Sequence, residues 1–134
     1  MKLSERTLDL VRTAARAADK VKGGKIVAFN VSVRCPLTDV FVIVSGNSDR
    51  QVGAIIDEVG RQLAEVGVHA VMREGDQASH WVLLDYGEFV VHVLHTEDRE
   101  FYGLDRLWKD CPRVALPQVE PQLAGAGQGL GAQL

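Results

Sequence analysis

The segment SGNSDR at residues 45–50 has the small and polar residue types that can bind a phosphate group at a helix N-terminus. A nucleotide-transferring enzyme would also need two carboxylates, usually one residue apart on a strand, to hold its metal ions. The predicted strands contain no Asp-x-Asp or Glu-x-Glu pair, and the sequence lacks Gly-Lys-Ser and Gly-Lys-Thr. We therefore predict a turn and a helix cap, with Ser48 as N-cap and Gln51 completing a capping box. A nucleotide-binding enzyme is the alternative, supported by this segment alone.

Histidines and cysteines are the other residues that could do chemistry. His92 and His95 are three positions apart on a predicted strand, so they face opposite sides and cannot chelate one ion without a bend. His92 is flanked by valines, which predicts a hydrogen-bonded histidine at the edge of a core. Cys35 and Cys111 each precede a proline and match no metal-ligand spacing, which favours reduced thiols in a cytosolic protein. We predict no catalytic residue, no metal and no cofactor.

The hydrophobic pattern predicts an α/β protein. Apolar residues at helical spacing predict helices at residues 4–22, 48–67 and 97–108, the last divided by Gly103. Runs of β-branched and aromatic residues predict strands at 25–31, 39–45, 68–72, 80–85 and 88–94. The last two strands should form an antiparallel hairpin, and the β-α-β unit through the second helix should be parallel. The result is a mixed five-stranded sheet flanked by helices.

The chain of 134 residues fits one domain, which we assign to residues 1–112. Residues 117–134 contain glycine, proline and glutamine with one charge, so we predict that residues 113–134 form a flexible, disordered tail. The charged N-terminal segment does not resemble an export signal. No stretch approaches the roughly 18 apolar residues of a membrane span, so we expect a cytoplasmic protein without membrane contact.

The charged residues are distributed unevenly along the chain. The formal net charge is only −3, which does not favour a general nucleic-acid binder. Within residues 74–100, however, seven acidic side chains stand against the single basic residue Arg99. Such an asymmetry creates a local negative field. This segment should therefore attract a basic partner and repel nucleic acid.

Aromatic residues accompany the acidic segment. Trp81 follows its first acidic cluster, and Tyr102 and Trp108 follow its second. Large rigid rings beside charges are typical of protein-binding surfaces, because they lose little entropy when they are buried. We expect Trp81 to be partly exposed. Trp108, at helical spacing with Phe101 and Leu104, is at least as consistent with a core position as with an interface.

Three stretches carry a resemblance to a known family: DVFVIVSGNSDRQVGAIIDEV, REG, and HWVLLDYGEFVVHVLHTEDREFYGLDRLW. Together they closely resemble the ribosomal silencing factor family, also called Iojap-like, and the resemblance covers residues 4–112. The residues that carry it are Ser45-Gly46-Asn47-Ser48, Glu74-Gly75, Trp81, Asp85, His92, Arg99, Phe101-Tyr102 and Leu107-Trp108.

The resemblance implies a fold and a function. It implies a degenerate nucleotidyltransferase-like fold without catalysis, in a protein that binds the large ribosomal subunit through large-subunit ribosomal protein fourteen. Bound there, the protein would block joining of the small subunit and repress translation when nutrients are scarce. Family members can also dimerise, so a homodimer is a further expectation. The residues expected to contact the partner are Glu74, Asp76, Trp81, Asp85, Tyr102 and Trp108.

Overall fold

A computed structural model describes residues 3–75, 80–117 and 119 of the chain. The elements in chain order are α1 (Glu5–Lys20), β1 (Gly24–Asn30), β2 (Val40–Gly46), α2 (Asp49–Glu65), β3 (Met72–Glu74), β4 (Trp81–Asp85), β5 (Phe89–His95), α3 (Thr96–Tyr102) and α4 (Leu104–Leu107). The order of helices and strands is the one that the sequence predicts. Among the described residues, no helix combines the length and the apolar character that crossing a bilayer requires.

The five strands form one mixed sheet in the order β1-β2-β5-β4-β3. The central neighbours β2 and β5 are parallel, whereas β1–β2, β4–β5 and β3–β4 are antiparallel. The mixed sheet and the antiparallel β4–β5 hairpin are confirmed. The two strands joined by α2, which are β2 and β3, run in the same direction as predicted, but β5 and β4 lie between them in the sheet.

One face of the sheet is covered by α1 and α2, which contact each other and the central strands. Alternate residues of β2 point to this face, and Val40, Val42 and Val44 are fully buried there. Helix α1 contributes alanines and Val11, and α2 contributes Val52 and other residues at helical spacing. The larger of the two hydrophobic cores therefore lies between the sheet and these two helices.

The opposite face of the sheet carries a second, smaller core. Phe29 and Ile43 are buried there together with Leu104 of α4 and Cys111. Because β2 is buried on both faces, its residues form the nearly continuous apolar run that the sequence shows. This second core covers only part of its face, on the side of β1 and β2.

The third strand differs from its prediction at residues 68–72. In the structure β3 begins at Met72, and it pairs Met72 with Asp85 and Glu74 with Leu83. In this antiparallel pair, residues before Met72 would have to lie opposite residues after Asp85. Since β4 ends at Asp85, it offers no residue opposite residues 68–70. Hydrophobicity predicted the strand in this region, but the extent of β4 determines where pairing begins.

The polypeptide stays packed after the predicted domain boundary at residue 112. The main-chain N–H of Asn30 donates to the carbonyl of Pro112, and that of Val114 donates to the carbonyl of Ala28, both at 2.8 Å. Arg113 forms a bridge to Phe29 at the outer edge of β1. The packed part of the chain thus reaches at least residue 117, while residues 118 and 120–134 of the predicted tail lie outside the described residues.

Arg99 connects α3 to α4 and to the sheet. Its side chain is only 4% exposed, and its Nε and Nη2 donate to the two carboxylate oxygens of Asp105 at 2.8 Å. Its Nη1 donates to the carbonyl of Gly24 and to the hydroxyl of Ser45. Partial burial raises the pKa of Asp105, but the hydrogen bonds and charge of Arg99 outweigh this effect, so the pKa is lowered overall.

We predict that Arg99→Met destabilises the protein, because Asp105 then loses the cation that compensates its partial burial. Breaking a fully buried ion pair costs roughly 3–5 kcal/mol. We expect about 2–3 kcal/mol here, since the side chain of Asp105 is 39% exposed. Urea unfolding measures the change. The double variant Arg99→Met/Asp105→Leu should recover part of the loss, whereas an unchanged midpoint in Arg99→Met would contradict the role of this pair.

Candidate protein-binding surface

The second face of the sheet is left open over β3, β4 and the middle of β5. We call this region the open face. A groove of about 240 Å³ lies on it, and its lining residues are Cys35, Leu37, Thr38, Phe41, Met72, Glu74, Leu83, Asp85, Val90 and His92. Leu37 is 87% exposed and Met72 is 50% exposed. The open face therefore presents apolar side chains that neither α1 nor α2 covers.

Trp81 is the first residue of β4, and a hydrogen bond to His92 of the neighbouring strand β5 holds its indole ring in place. The indole Nε1–H donates to Nδ1 of His92 at 3.1 Å. Since Nδ1 accepts this bond, the proton of the neutral imidazole lies on Nε2, which makes no hydrogen bond within the described residues. Burial lowers the pKa of His92 to about 4, so the ring is neutral at physiological pH. The predicted partial exposure of Trp81 and hydrogen bonding of His92 are both confirmed.

Tyr102 lies against Trp81 at the surface. The two ring centroids are 5.4 Å apart, and Phe101 contacts Tyr102 edge-on at 5.0 Å. Tyr102 is 56% exposed and Phe101 is 81% exposed. The structure thus brings together two predicted partner-binding residues that are far apart in sequence, and it adds Phe101 to them.

Trp108 occupies a different position from Trp81 and Tyr102. It is half-buried, and its ring contacts Phe41 edge-on at 5.0 Å. The guanidinium of Arg34 lies 4.7 Å above the same ring, and its Nη1 donates to the carbonyl of Leu107 at 3.2 Å. Trp108 therefore holds the segment after α4 on the sheet, which is one of the two roles expected for it.

Glu74 and Asp85 place two carboxylates at one end of the open face. Glu74 pairs with Leu83 in the ladder and Met72 pairs with Asp85, so the two acidic residues are diagonal neighbours on one face. Asp85 accepts a hydrogen bond from the main chain of Gly87 at 2.8 Å. Within the described residues, neither carboxylate forms an ion pair. Asp76, the other acidic residue expected here, lies outside the described residues.

Arg99, the basic residue near the end of the acidic segment 74–100, does not neutralise the carboxylates of Glu74 and Asp85. Arg99 is buried against Asp105, as described above. Glu100 forms only a long, exposed contact of 4.0 Å with Lys25, and Asp98 is paired with His80 at 2.6 Å. Within the described residues, the carboxylates of Glu74 and Asp85 therefore keep their negative charge without a cationic partner.

The segment at residues 45–50 folds as a turn and a helix cap. The hydroxyl of Ser48 accepts the main-chain N–H of Gln51 at 3.1 Å, and the Oε1 of Gln51 accepts that of Asn47 at 2.7 Å. Thr96 donates to the side-chain oxygen of Asn47 at 2.6 Å. The predicted N-cap at Ser48 is confirmed, whereas the side chain of Gln51 accepts the N–H of Asn47 and not that of Ser48, so the reciprocal bond of the capping box is displaced by one residue.

Leu37, Phe41, Met72 and Val90 belong to the open face, but the sequence reasoning did not select them. A signal for Phe41 was available, because alternation along residues 39–45 places it on the face opposite Val40 and Val42. The position of Leu37 depends on the loop before β2 and leaves no periodic signal. The sequence pattern selected the polar and aromatic residues of this candidate surface and did not select its apolar floor.

We predict that His92 makes stability depend on pH. Its pKa of about 4 lies below the ordinary histidine value of 6.5, so the unfolded chain binds the proton more readily between these values. Stability should therefore fall as pH decreases from about 6.5 to 4, by up to about 3 kcal/mol at 1.36 kcal/mol per pKa unit. Urea unfolding of His92→Gln across this range should lack this contribution. An identical pH slope in the two proteins would refute the assignment.

Comparison with known proteins gives the family. The family model for "Ribosomal silencing factor during starvation" matches residues 4–128. The chain is 39% identical over 111 residues to the ribosomal silencing factor RsfS of Halalkalibacterium halodurans, covering 83% of this chain and 95% of that protein. It is 39% identical over 107 residues to RsfS of Bacillus subtilis, covering 80% of this chain and 91% of that protein.

The fold is also found in solved structures. A crystal structure of a protein from Chromobacterium violaceum matches with a TM-score of 0.72 and 31% identity, over 89% of this chain and 98% of that one. The match of the family model extends over most of the chain and includes every described strand and helix. The chain belongs to the ribosomal silencing factor family.

Proposed function

We propose that this protein binds the large ribosomal subunit in the cytoplasm, docks on large-subunit ribosomal protein fourteen, and blocks joining of the small subunit. Translation is thereby repressed when nutrients are limited. Membership of the ribosomal silencing factor family supports the ribosomal role. The choice of partner protein and the blocking of subunit joining are our inference from the resemblance and from the chemistry of the open face.

The uncompensated negative charge of the open face is the observation that carries this proposal. Glu74 and Asp85 stand beside exposed apolar side chains, and no cation of the described residues pairs with them. Ribosomal proteins are a large class of basic partners. An apolar surface with a negative rim is complementary to such a partner and unfavourable for RNA.

The aromatic side chains of this surface are already held in place in the free protein. Trp81 is fixed by the hydrogen bond to His92 and by its contact with Tyr102. Two of these residues lie on neighbouring strands, so little side-chain or main-chain freedom is lost on binding. A preorganised tryptophan at the centre of an interface is typical of residues that dominate the binding energy.

The proposed mechanism is steric. The protein occupies a surface of the large subunit that the small subunit needs, and its effect depends on affinity alone. Neither substrate nor cofactor takes part. A homodimer that covers the open face would compete with this binding, so dimerisation would lower the apparent affinity for large subunits. Light scattering over a concentration series measures the oligomeric state.

Co-sedimentation tests the proposal directly. Purified large subunits should carry the protein through a sucrose cushion, and added small subunits should form fewer complete ribosomes when the protein is present. A protein that stays in the supernatant would overturn the proposed binding to the large subunit. A protein that binds without reducing subunit joining would overturn the proposed steric block.

We predict that Trp81→Ala weakens binding to large subunits by about 1–3 kcal/mol, because a preorganised ring is removed from the interface. Titration with labelled protein measures the dissociation constant. Trp81→Phe serves as the matched variant, since it retains an apolar ring and loses only the hydrogen bond to His92. Equal affinities of Trp81→Ala and the wild type would remove Trp81 from the surface.

We predict that Asp85→Lys weakens binding more at low salt than at high salt, because it places a positive charge opposite a basic partner. Asp57→Lys is the control, since Asp57 is exposed on α2 and its substitution changes the net charge equally. Similar losses for both variants would indicate a general charge effect, and they would contradict docking through the open face.

A further inference from the structure

The groove on the open face has the dimensions of one side chain. Its volume is about 240 Å³, below the roughly 300–1,000 Å³ typical of sites for small organic ligands. Its walls and floor are apolar along most of their length, formed by Leu37, Phe41, Met72, Leu83 and Val90. A single long side chain from a partner can lie along this floor.

The far end of the groove is negatively charged. Glu74 and Asp85 lie on the same face as diagonal neighbours, with Cα atoms about 7–8 Å apart by the geometry of such pairs. Arg73, the basic residue closest to them in sequence, pairs with Leu84 and so points to the opposite face. The Nε of Arg73 donates to the carbonyl of Gly75 at 3.3 Å, and within the described residues Arg73 forms no ion pair with either carboxylate.

Two buried polar groups of the groove have no partner. The hydroxyl of Thr38 and Nε2 of His92 each make no hydrogen bond within the described residues, although both side chains are more than nine-tenths buried. A buried polar group without a hydrogen-bond partner destabilises the folded protein. Both atoms are also closed to solvent, so the groove presents the carboxylates of Glu74 and Asp85 to an entering side chain, and not these two atoms.

We propose that this groove takes the side chain of one arginine presented by the basic protein partner. The inference rests on the proposed function and specifies how docking is achieved. The aliphatic stem lies along Leu83 and Val90, and the guanidinium binds Glu74 and Asp85. A guanidinium has donors on two edges, so it can bridge two carboxylates.

Arginine fits the groove better than the alternatives. Lysine offers a compact charge that cannot bridge both carboxylates in one plane. The C-terminal segment of this chain is unsuitable, because residues 120–134 contain neither lysine nor arginine. Leu116 and Val119, at the described end of the chain, also pack on the helical face of the sheet and not on the open face. Neutral His92 at the floor does not repel a cation.

Binding of a neutralised variant to purified large subunits tests the inference. Glu74→Gln/Asp85→Asn retains the shape of the groove and removes its charge, and we expect a loss of affinity of about tenfold or more. Glu5→Gln/Asp57→Asn is the matched control, since both residues are exposed outside the groove. The control should keep its affinity within about threefold. Equal affinities of the two double variants would overturn the inference.

Cryo-electron microscopy of the wild-type protein on the large subunit supplies the direct readout. We expect density for an arginine side chain between Glu74 and Asp85. An empty groove, a lysine, an apolar side chain or a second copy of this chain in that position would overturn the inference while leaving ribosome binding intact. A protein that does not bind large subunits at all would instead overturn the proposed function, and the arginine assignment with it.

Discussion

The structure depends on one geometric constraint: successive residues of a strand point to opposite faces, and the two long helices cover only one face of the sheet. On that face, the valines of β2 and β5 pack beneath α1 and α2. The other face carries a short second core near β1 and is open over β3 and β4. The same alternation that builds the core thus places Trp81, Leu83 and Asp85 together on the exposed side of β4.

The charged side chains of this protein differ in whether the fold provides them with a partner of opposite charge. Arg99 is enclosed with Asp105 and fastens the two short helices to the sheet. Glu58 likewise has its pKa lowered to about 2, chiefly by its hydrogen bond to Arg61. Glu74 and Asp85 lack such a partner among the described residues. A pair of acidic residues that the fold leaves uncompensated beside an apolar groove is therefore the feature most readily explained by a basic partner.

The sequence alone predicted much of the fold and only part of the surface. Strong periodicity identified α1, α2, β2 and β5, and glycine marked the break between α3 and α4 at Gly103. The start of β3 was misplaced, because it depends on where β4 stops offering partners. The groove could not be anticipated from local patterns, since Leu37, Met72 and Val90 come from a loop and two strands whose proximity is a property of the strand order.

Oxidative footprinting with and without large ribosomal subunits tests most directly whether the open face is the docking surface. Met72, Phe101 and Tyr102 are exposed in the free protein, and Val66 is exposed at the end of α2. If the open face docks, subunits should protect Met72, Phe101 and Tyr102 from oxidation and leave Val66 as reactive as before. Protection of Val66 with unchanged oxidation of the other three would show that the protein binds through its helical face and would contradict the account.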